Sequence, residues 1–189
     1  MVKGFGFGHT LSMKIKTTVI FLAIAVLFVV GVFKAESLMK PQVAATAPVS
    51  RTGADYLKQM TSFSLRGYKG NALTLTQPQL EEPQRLVVHF WASWCSPCVN
   101  EVPELIDYSK KHPAVKFVIV SVDDYQDDID KFLKSFPDFN ADSYYKIWDG
   151  DKKLAKLFDV DRLPMSVVFD KGNTQPQFYK AVVDWKRLN

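Results

Sequence analysis

The stretch that decides the fold reads Arg85-Leu86-Val87-Val88-His89-Phe90-Trp91-Ala92-Ser93-Trp94-Cys95-Ser96-Pro97-Cys98-Val99-Asn100-Glu101-Val102-Pro103-Glu104-Leu105-Ile106-Asp107-Tyr108. Its first seven residues are rich in β-branched and aromatic types and read as a buried strand. From Val99 onward, apolar residues recur at helical spacing. The only two cysteines of the chain fall at the junction, as a C-x-x-C. Scattered at random, two cysteines would land at this separation on the order of once in a hundred, so the spacing asks for a chemical reason.

That reason follows from the position. The first amides of a helix have no partner within it, and the dipole end is positive, so a sulfur held there is stabilised as an anion. Cys95 is therefore the predicted nucleophile. Cys98, one turn into the helix and facing inward, is placed to attack a mixed disulfide formed at Cys95 and release the partner reduced. Pro97 suits a first turn, where a missing N–H costs little. A static bridge is the bland alternative, but closing a four-residue loop stabilises little by chain entropy.

Around this core the chain has 189 residues, 47% of them hydrophobic and 23% charged, enough to bury one ordinary domain with an appendage. Two cysteines cannot staple a disulfide scaffold, and His9, His89 and His112 show no metal-ligand spacing, so no metal or other cofactor is expected. The net charge of +4 is uneven, because Lys3, Lys14 and Lys16 precede residue 34 with no acid among them, leaving +1 for the remainder. Pairs such as Lys110-Lys111 and Lys152-Lys153 are too few for a phosphate-neutralising strip, so nucleic acid is not an expected partner.

Residues 17–33, TTVIFLAIAVLFVVGVF, carry no charge. At roughly 1.5 Å per residue they reach about 26 Å, close to the thickness of a hydrocarbon core. Lys34-Ala35-Glu36-Ser37 offers no good cleavage site, which favours an uncleaved anchor over a removed signal peptide. Lys14 and Lys16 hold residues 1–16 in the cytoplasm and send the bulk of the chain out. Residues 1–12 read as an upstream extension, since Met13 would itself be an ordinary start. Residues 34–58, with Pro41 and Pro48, read as a tether, and 59–189 as the folded domain.

The run FWASWCSPCVNEVPEL resembles the active-site segment of the thioredoxin superfamily. It is most similar to the membrane-anchored extracytoplasmic branch, the TlpA/ResA-like and cytochrome c maturation thiol-disulfide oxidoreductases. The likeness extends over roughly residues 60–184. Phe63-Ser64-Leu65 and Ala72-Leu73-Thr74-Leu75 resemble that branch's added strands, and Val115 to Val122 its next central strand. Val160-Asp161-Arg162-Leu163-Pro164 resembles the loop that carries its cis-proline.

The resemblance implies a thioredoxin-like α/β fold, a mixed central sheet flanked by helices, behind a single transmembrane helix. It implies a cis bond at Leu163-Pro164 lying against the cysteine pair, with Trp94 covering the sulfur and forming a substrate surface with Leu163. Glu101 matches a glutamate that tunes the cysteines and relays protons; the alternative is a solvated helix residue, as Glu104 is expected to be. His89 stands where cytoplasmic thioredoxins carry a buried aspartate. It reads either as a proton acceptor behind Cys98 or, the favoured reading, as a core histidine satisfied by a neighbouring backbone group. Trp91 reads as packing, His112 as a helix end, and Asp123, Asp124, Asp127, Asp128 and Asp130 as a solvated helix start.

Elsewhere Asp127–Ser135 and Lys152–Phe158 read as helices, Tyr144–Trp148 as an edge strand, and Lys171-Gly172-Asn173 as the turn between strands Met165–Asp170 and Gln177–Val183. Asp184 to Asn189 is only a stub of the family's last helix, which puts the cover of one sheet face in doubt. The expected function is reduction of disulfides in an exported protein such as apocytochrome c or an oxidase metal-site protein. A transmembrane thiol reductase is the expected electron donor. The rivals are a disulfide oxidase or isomerase, and a copper-binding assembly module using Cys95, Cys98 and a histidine.

Overall fold

The computed structural model describes residues 51–188. A five-stranded sheet in the order β5-β4-β3-β6-β7 forms the domain's centre. Its strands are β3 (Arg85–Trp91), β4 (Val115–Ser121), β5 (Tyr144–Trp148), β6 (Met165–Asp170) and β7 (Gln177–Tyr179). β3 pairs parallel with β4 and antiparallel with β6, while β5 runs parallel to β4 and β7 antiparallel to β6. Leu86, Val87, Val88, Phe90 and Trp91 are all buried, as a strand covered on both faces requires. A two-stranded hairpin, β1 (Leu65–Arg66) with β2 (Ala72–Leu73), precedes the sheet, and a bridge from Gly67 to Ile147 protects the β5 edge.

The packed structure starts earlier than the tether reading of 34–58 expects. Helix α1 (Gly53–Thr61) begins inside that segment and runs past its end, with Leu57 and Met60 in the core. The signal is a capping box: Thr52 Oγ1 accepts from the Asp55 N–H, and the Thr52 N–H donates back to Asp55 Oδ2. The Gly53 N–H also donates to the Thr174 carbonyl at 2.8 Å. Residues 1–50, including the expected anchor at 17–33, lie outside the described residues. Among the described residues no helix is long and apolar enough to cross a membrane.

Three further helices follow the hairpin before β6 apart from the short α2 (Gln77–Glu81): α3 (Ser96–Lys111), α4 (Gln126–Ser135) and α5 (Lys153–Leu157). The expected strand Gln177–Val183 is only three residues long, and the chain then runs without regular structure. The sheet face in doubt is nonetheless covered. Val183, Trp185 and Leu188 are buried, and the Trp185 ring lies 5.5 Å from Tyr108 and 6.0 Å from Phe117, so one indole does the work expected of a helix. Trp91 packs as expected, 4.5 Å from Phe132, with its Nε1–H donated to the Tyr68 hydroxyl.

α5 leads into the 158–163 loop beside the cysteines, and it lacks a side-chain cap from its own N-cap residue, Lys152. Asp149 supplies one: its buried carboxylate accepts from the Leu154 N–H at 3.1 Å and the Ala155 N–H at 2.8 Å. Asp149→Ala leaves two helix N–H groups without their partner and is expected to lower unfolding stability by about 2 kcal/mol, measured by urea titration.

Candidate active site

The site is built at the end of β3. After Trp91 the chain turns so that the Cys95 N–H meets the Ala92 carbonyl at 3.1 Å, and Cys95 becomes the N-cap of α3. Its sulfur accepts from the Cys98 N–H at 3.3 Å, doing what a serine or aspartate oxygen does at other helix starts. Cys95 and Cys98 are joined in a disulfide. Cys95 is 5% exposed and Cys98 fully buried, so an incoming sulfur meets Cys95 first.

Beside the disulfide is an open groove of about 980 Å³, with Trp94, Cys95, Pro97, Val122, Val160 and Leu163 on its walls. Trp94, expected to cover the sulfur, is 68% exposed and offers most of its indole to solvent. The Leu163-Pro164 bond is cis. Phe90 pairs with Met165 across β3 and β6, so the register places Pro164 level with Trp91, at the strand end that launches the cysteine loop.

β4 supplies a residue that sequence reasoning misassigned. Asp123, expected in a solvated helix start, is fully buried, and α4 begins only at Gln126. Its carboxylate accepts from the Ser93 N–H at 3.1 Å, from the Ser93 hydroxyl at 2.7 Å and from the Ser121 hydroxyl at 2.7 Å. It thus fastens the loop two residues before Cys95 to the end of the neighbouring strand. Lys152 Nζ bonds the Val122 carbonyl at 2.7 Å and Asp124 at 2.8 Å, closing the same corner from β5's side. The signal in the sequence was the alternation Ser121-Val122-Asp123, which puts Ser121 and Asp123 on one side of a strand end. Asp124, Asp127 and Asp130 are exposed, as expected.

Behind the cysteines lie two buried ionisable groups. Glu101 is 3% exposed and three residues after Cys98 on α3, a spacing that puts the two Cβ atoms about 5–6 Å apart on one helix face. Its Oε1 accepts from the Val183 N–H at 3.0 Å and from Trp185 Nε1–H at 2.6 Å, while Oε2 is buried with no hydrogen-bond partner. Burial pushes the carboxyl up to about 7, against those two hydrogen bonds and with a smaller push from Glu104. Glu101 is therefore not the solvated residue of the alternative reading, whereas Glu104 is half-exposed and paired with Lys186 at 2.9 Å.

His89 is buried, and its Nδ1 lies 2.9 Å from the hydroxyl of Ser166, its pairing partner across β3 and β6. Burial pulls the imidazole down to about 3, so it stays neutral. The core reading of His89 holds, with a serine side chain where a backbone group was expected. His112 caps the end of α3 and stacks on Tyr108.

Residues 84–174 match the family model described as Thioredoxin-like, and the domain has a thioredoxin-like α/β fold. Sporulation thiol-disulfide oxidoreductase A of Bacillus subtilis is 29% identical over 98 residues, 49% of this chain and 57% of that protein. Thiol-disulfide oxidoreductase ResA of the same organism is 27% identical over 85 residues, 44% of this chain and 45% of that protein. The chain spans about half the length of these curated relatives. The crystal structure of a secreted Mycobacterium tuberculosis disulfide oxidoreductase homologous to E. coli DsbE shares the fold, with a TM-score of 0.57 at 20% identity, over 69% of this chain and 93% of that one.

The two buried groups act on stability with opposite signs. Between pH 4.5 and about 7 folded Glu101 keeps a proton that the unfolded chain has released, so its contribution to stability falls as pH rises. Between about pH 3 and 6.5 unfolded His89 takes a proton that the folded imidazole refuses, so its contribution falls as pH drops. Glu101→Gln removes the first effect and exposes the second. Its unfolding free energy should drop more steeply than the wild type's on acidification from pH 6.5 to 4.5, by about 2 kcal/mol, in urea titrations at stepped pH. Parallel profiles would sink the assignment.

Proposed function

We propose that this protein is a thiol-disulfide oxidoreductase that reduces disulfides in exported proteins. The observation that carries the reading is a cysteine at the N-cap of α3 that accepts a backbone N–H, disulfide-bonded to a second cysteine sealed in the core. In the reduced enzyme the Cys95 thiolate attacks one sulfur of a partner's disulfide. The partner's S–S bond breaks, a Cys95–partner bond forms, and the displaced partner sulfur leaves as a thiolate that takes up a proton. Cys98 gives its proton to Glu101 and attacks Cys95 Sγ. The Cys95–Cys98 bond forms, the second partner sulfur leaves and is protonated, and two electrons have passed to the partner.

The disulfide seen here is the product of that cycle, so the enzyme needs an electron donor. In an oxidising compartment that donor is a dedicated one, and a transmembrane thiol reductase fits the topology. The uncharged run 17–33, with Lys14 and Lys16 before it, anchors the domain on the extracytoplasmic face of the cytoplasmic membrane, the periplasm in a bacterium with two membranes. Apocytochrome c is the substrate that the sequence resemblance favours. Trp94 and Leu163 border the groove that would receive a polypeptide, with the cis-proline Pro164 buried directly behind Leu163 in the chain. Among the described residues no group of three or more His, Cys, Asp or Glu side chains is arranged to hold a metal ion.

Cys98→Ala expressed in cells is expected to accumulate partner proteins as mixed disulfides at Cys95, resolved by mass spectrometry after acid trapping, while the purified variant reduces insulin at least about 100-fold more slowly than the wild type. Capture of no protein partner while the wild-type pair cycles would contradict a protein substrate.

A further inference from the structure

The last described residues are tied to α3 at three points. The Val183 N–H and the Trp185 Nε1–H both end on Glu101 Oε1, and Lys186 Nζ ends on Glu104 one turn further along. The indole cannot swing away freely, because it is wedged among Tyr108, Phe117 and His89 at centroid distances of 5.5, 6.0 and 6.1 Å. Both donors serve one carboxylate oxygen, and the other, Oε2, is buried and unpartnered. A buried acceptor left without a donor is costly, so natural structures keep one where chemistry needs it.

We infer that Trp185 is a positioning residue of the active site: with the Val183 backbone it holds Oε1 of Glu101, so that Oε2 is the oxygen left to take the proton of Cys98. This rests on the proposed role of Glu101 as proton acceptor. A fixed Oε1 stops the carboxylate from rotating, and the two donors favour its charged form, offsetting part of the cost of burial. Without them the group would hold its proton too tightly to act as a base near neutral pH. The other ionisable groups around the cluster are His89 on β3, Glu104, Asp107, Tyr108 and Lys111 on α3, His112 at its end, and Asp184 and Lys186 on the terminal segment. Of these, Glu104 opposes ionisation of Glu101, and His89 is neutral and turned to Ser166. The sequence alone does not reveal this, since Trp185 lies 84 residues from Glu101.

The test uses the full-length reduced protein with ¹³C-labelled glutamate. Trp185→Phe keeps a ring in the wedge and removes the Nε1–H. The Glu101 carboxyl resonance, assigned by its disappearance in Glu101→Gln, should titrate about one pH unit higher in Trp185→Phe than in the wild type. The rising limb of the pH profile for single-turnover insulin reduction should move by the same amount. In the wild type, which requires no mutant to fold, the Trp185 indole N–H resonance should follow the Glu101 midpoint and be flat in Glu101→Gln. An unmoved carboxyl midpoint in folded Trp185→Phe, or an indole signal indifferent to Glu101, overturns the inference even if Glu101→Gln abolishes the rising limb. A midpoint that moves while the kinetic profile stays put removes Glu101 from the reaction, and Trp185's part in it with it.

Discussion

A backbone N–H aimed at a sulfur is the contact on which this structure turns. The Cys98 amide is one of the orphan donors at the start of α3, and Cys95 Sγ is its acceptor. The helix start therefore needs a polarisable, electron-rich atom at that point, and thiol exchange needs an anion at the same point. One placement serves both. It exists only because β3 ends where it does, so that a three-residue turn delivers Cys95 to the cap.

Each neighbour of β3 contributes to that end. β4 brings Asp123, which grips Ser93 by its amide and hydroxyl, and β6 brings the cis-proline loop to the level of Trp91. α3 supplies Glu101 from beneath, and the terminal segment grips Glu101 in turn. The polar groups here are buried yet nearly all partnered, which is what keeps so many of them tolerable in a core. Glu101 Oε2 stands apart, and it lies on the helix turn after the resolving cysteine. The groove beside Cys95 is open and largely apolar, in keeping with a partner that arrives as polypeptide.

The centre of the fold was legible because its signals are local. β3, β5 and β6 are dominated by apolar, β-branched and aromatic residues, and the C-x-x-C announces a strand-to-helix junction by itself. The cis bond at Pro164 was legible only through resemblance, since a proline before a strand is ordinarily trans. The misreadings share one cause: the deciding partner is distant in sequence. Asp123 looks like one of five surface acids until Ser93, 30 residues away, is folded against it. Trp185 looks like a surface residue of a terminal segment until α3 presents Tyr108, and β3 and β4 present His89 and Phe117, to its ring. The early start of α1 is different, because its signal, the Thr52–Asp55 capping box, is local but follows directly on a proline-bearing stretch without periodicity.

The central claim is that the two cysteines are unequal, with Cys95 the attacking sulfur and Cys98 held back by burial. Competitive alkylation of the freshly reduced protein at neutral pH, read by mass mapping at each cysteine, tests this directly. The account requires Cys95 to react at least about tenfold faster than Cys98 in the folded protein, with the difference vanishing in denaturant. Equal rates in the folded state, or faster modification of Cys98, would contradict it.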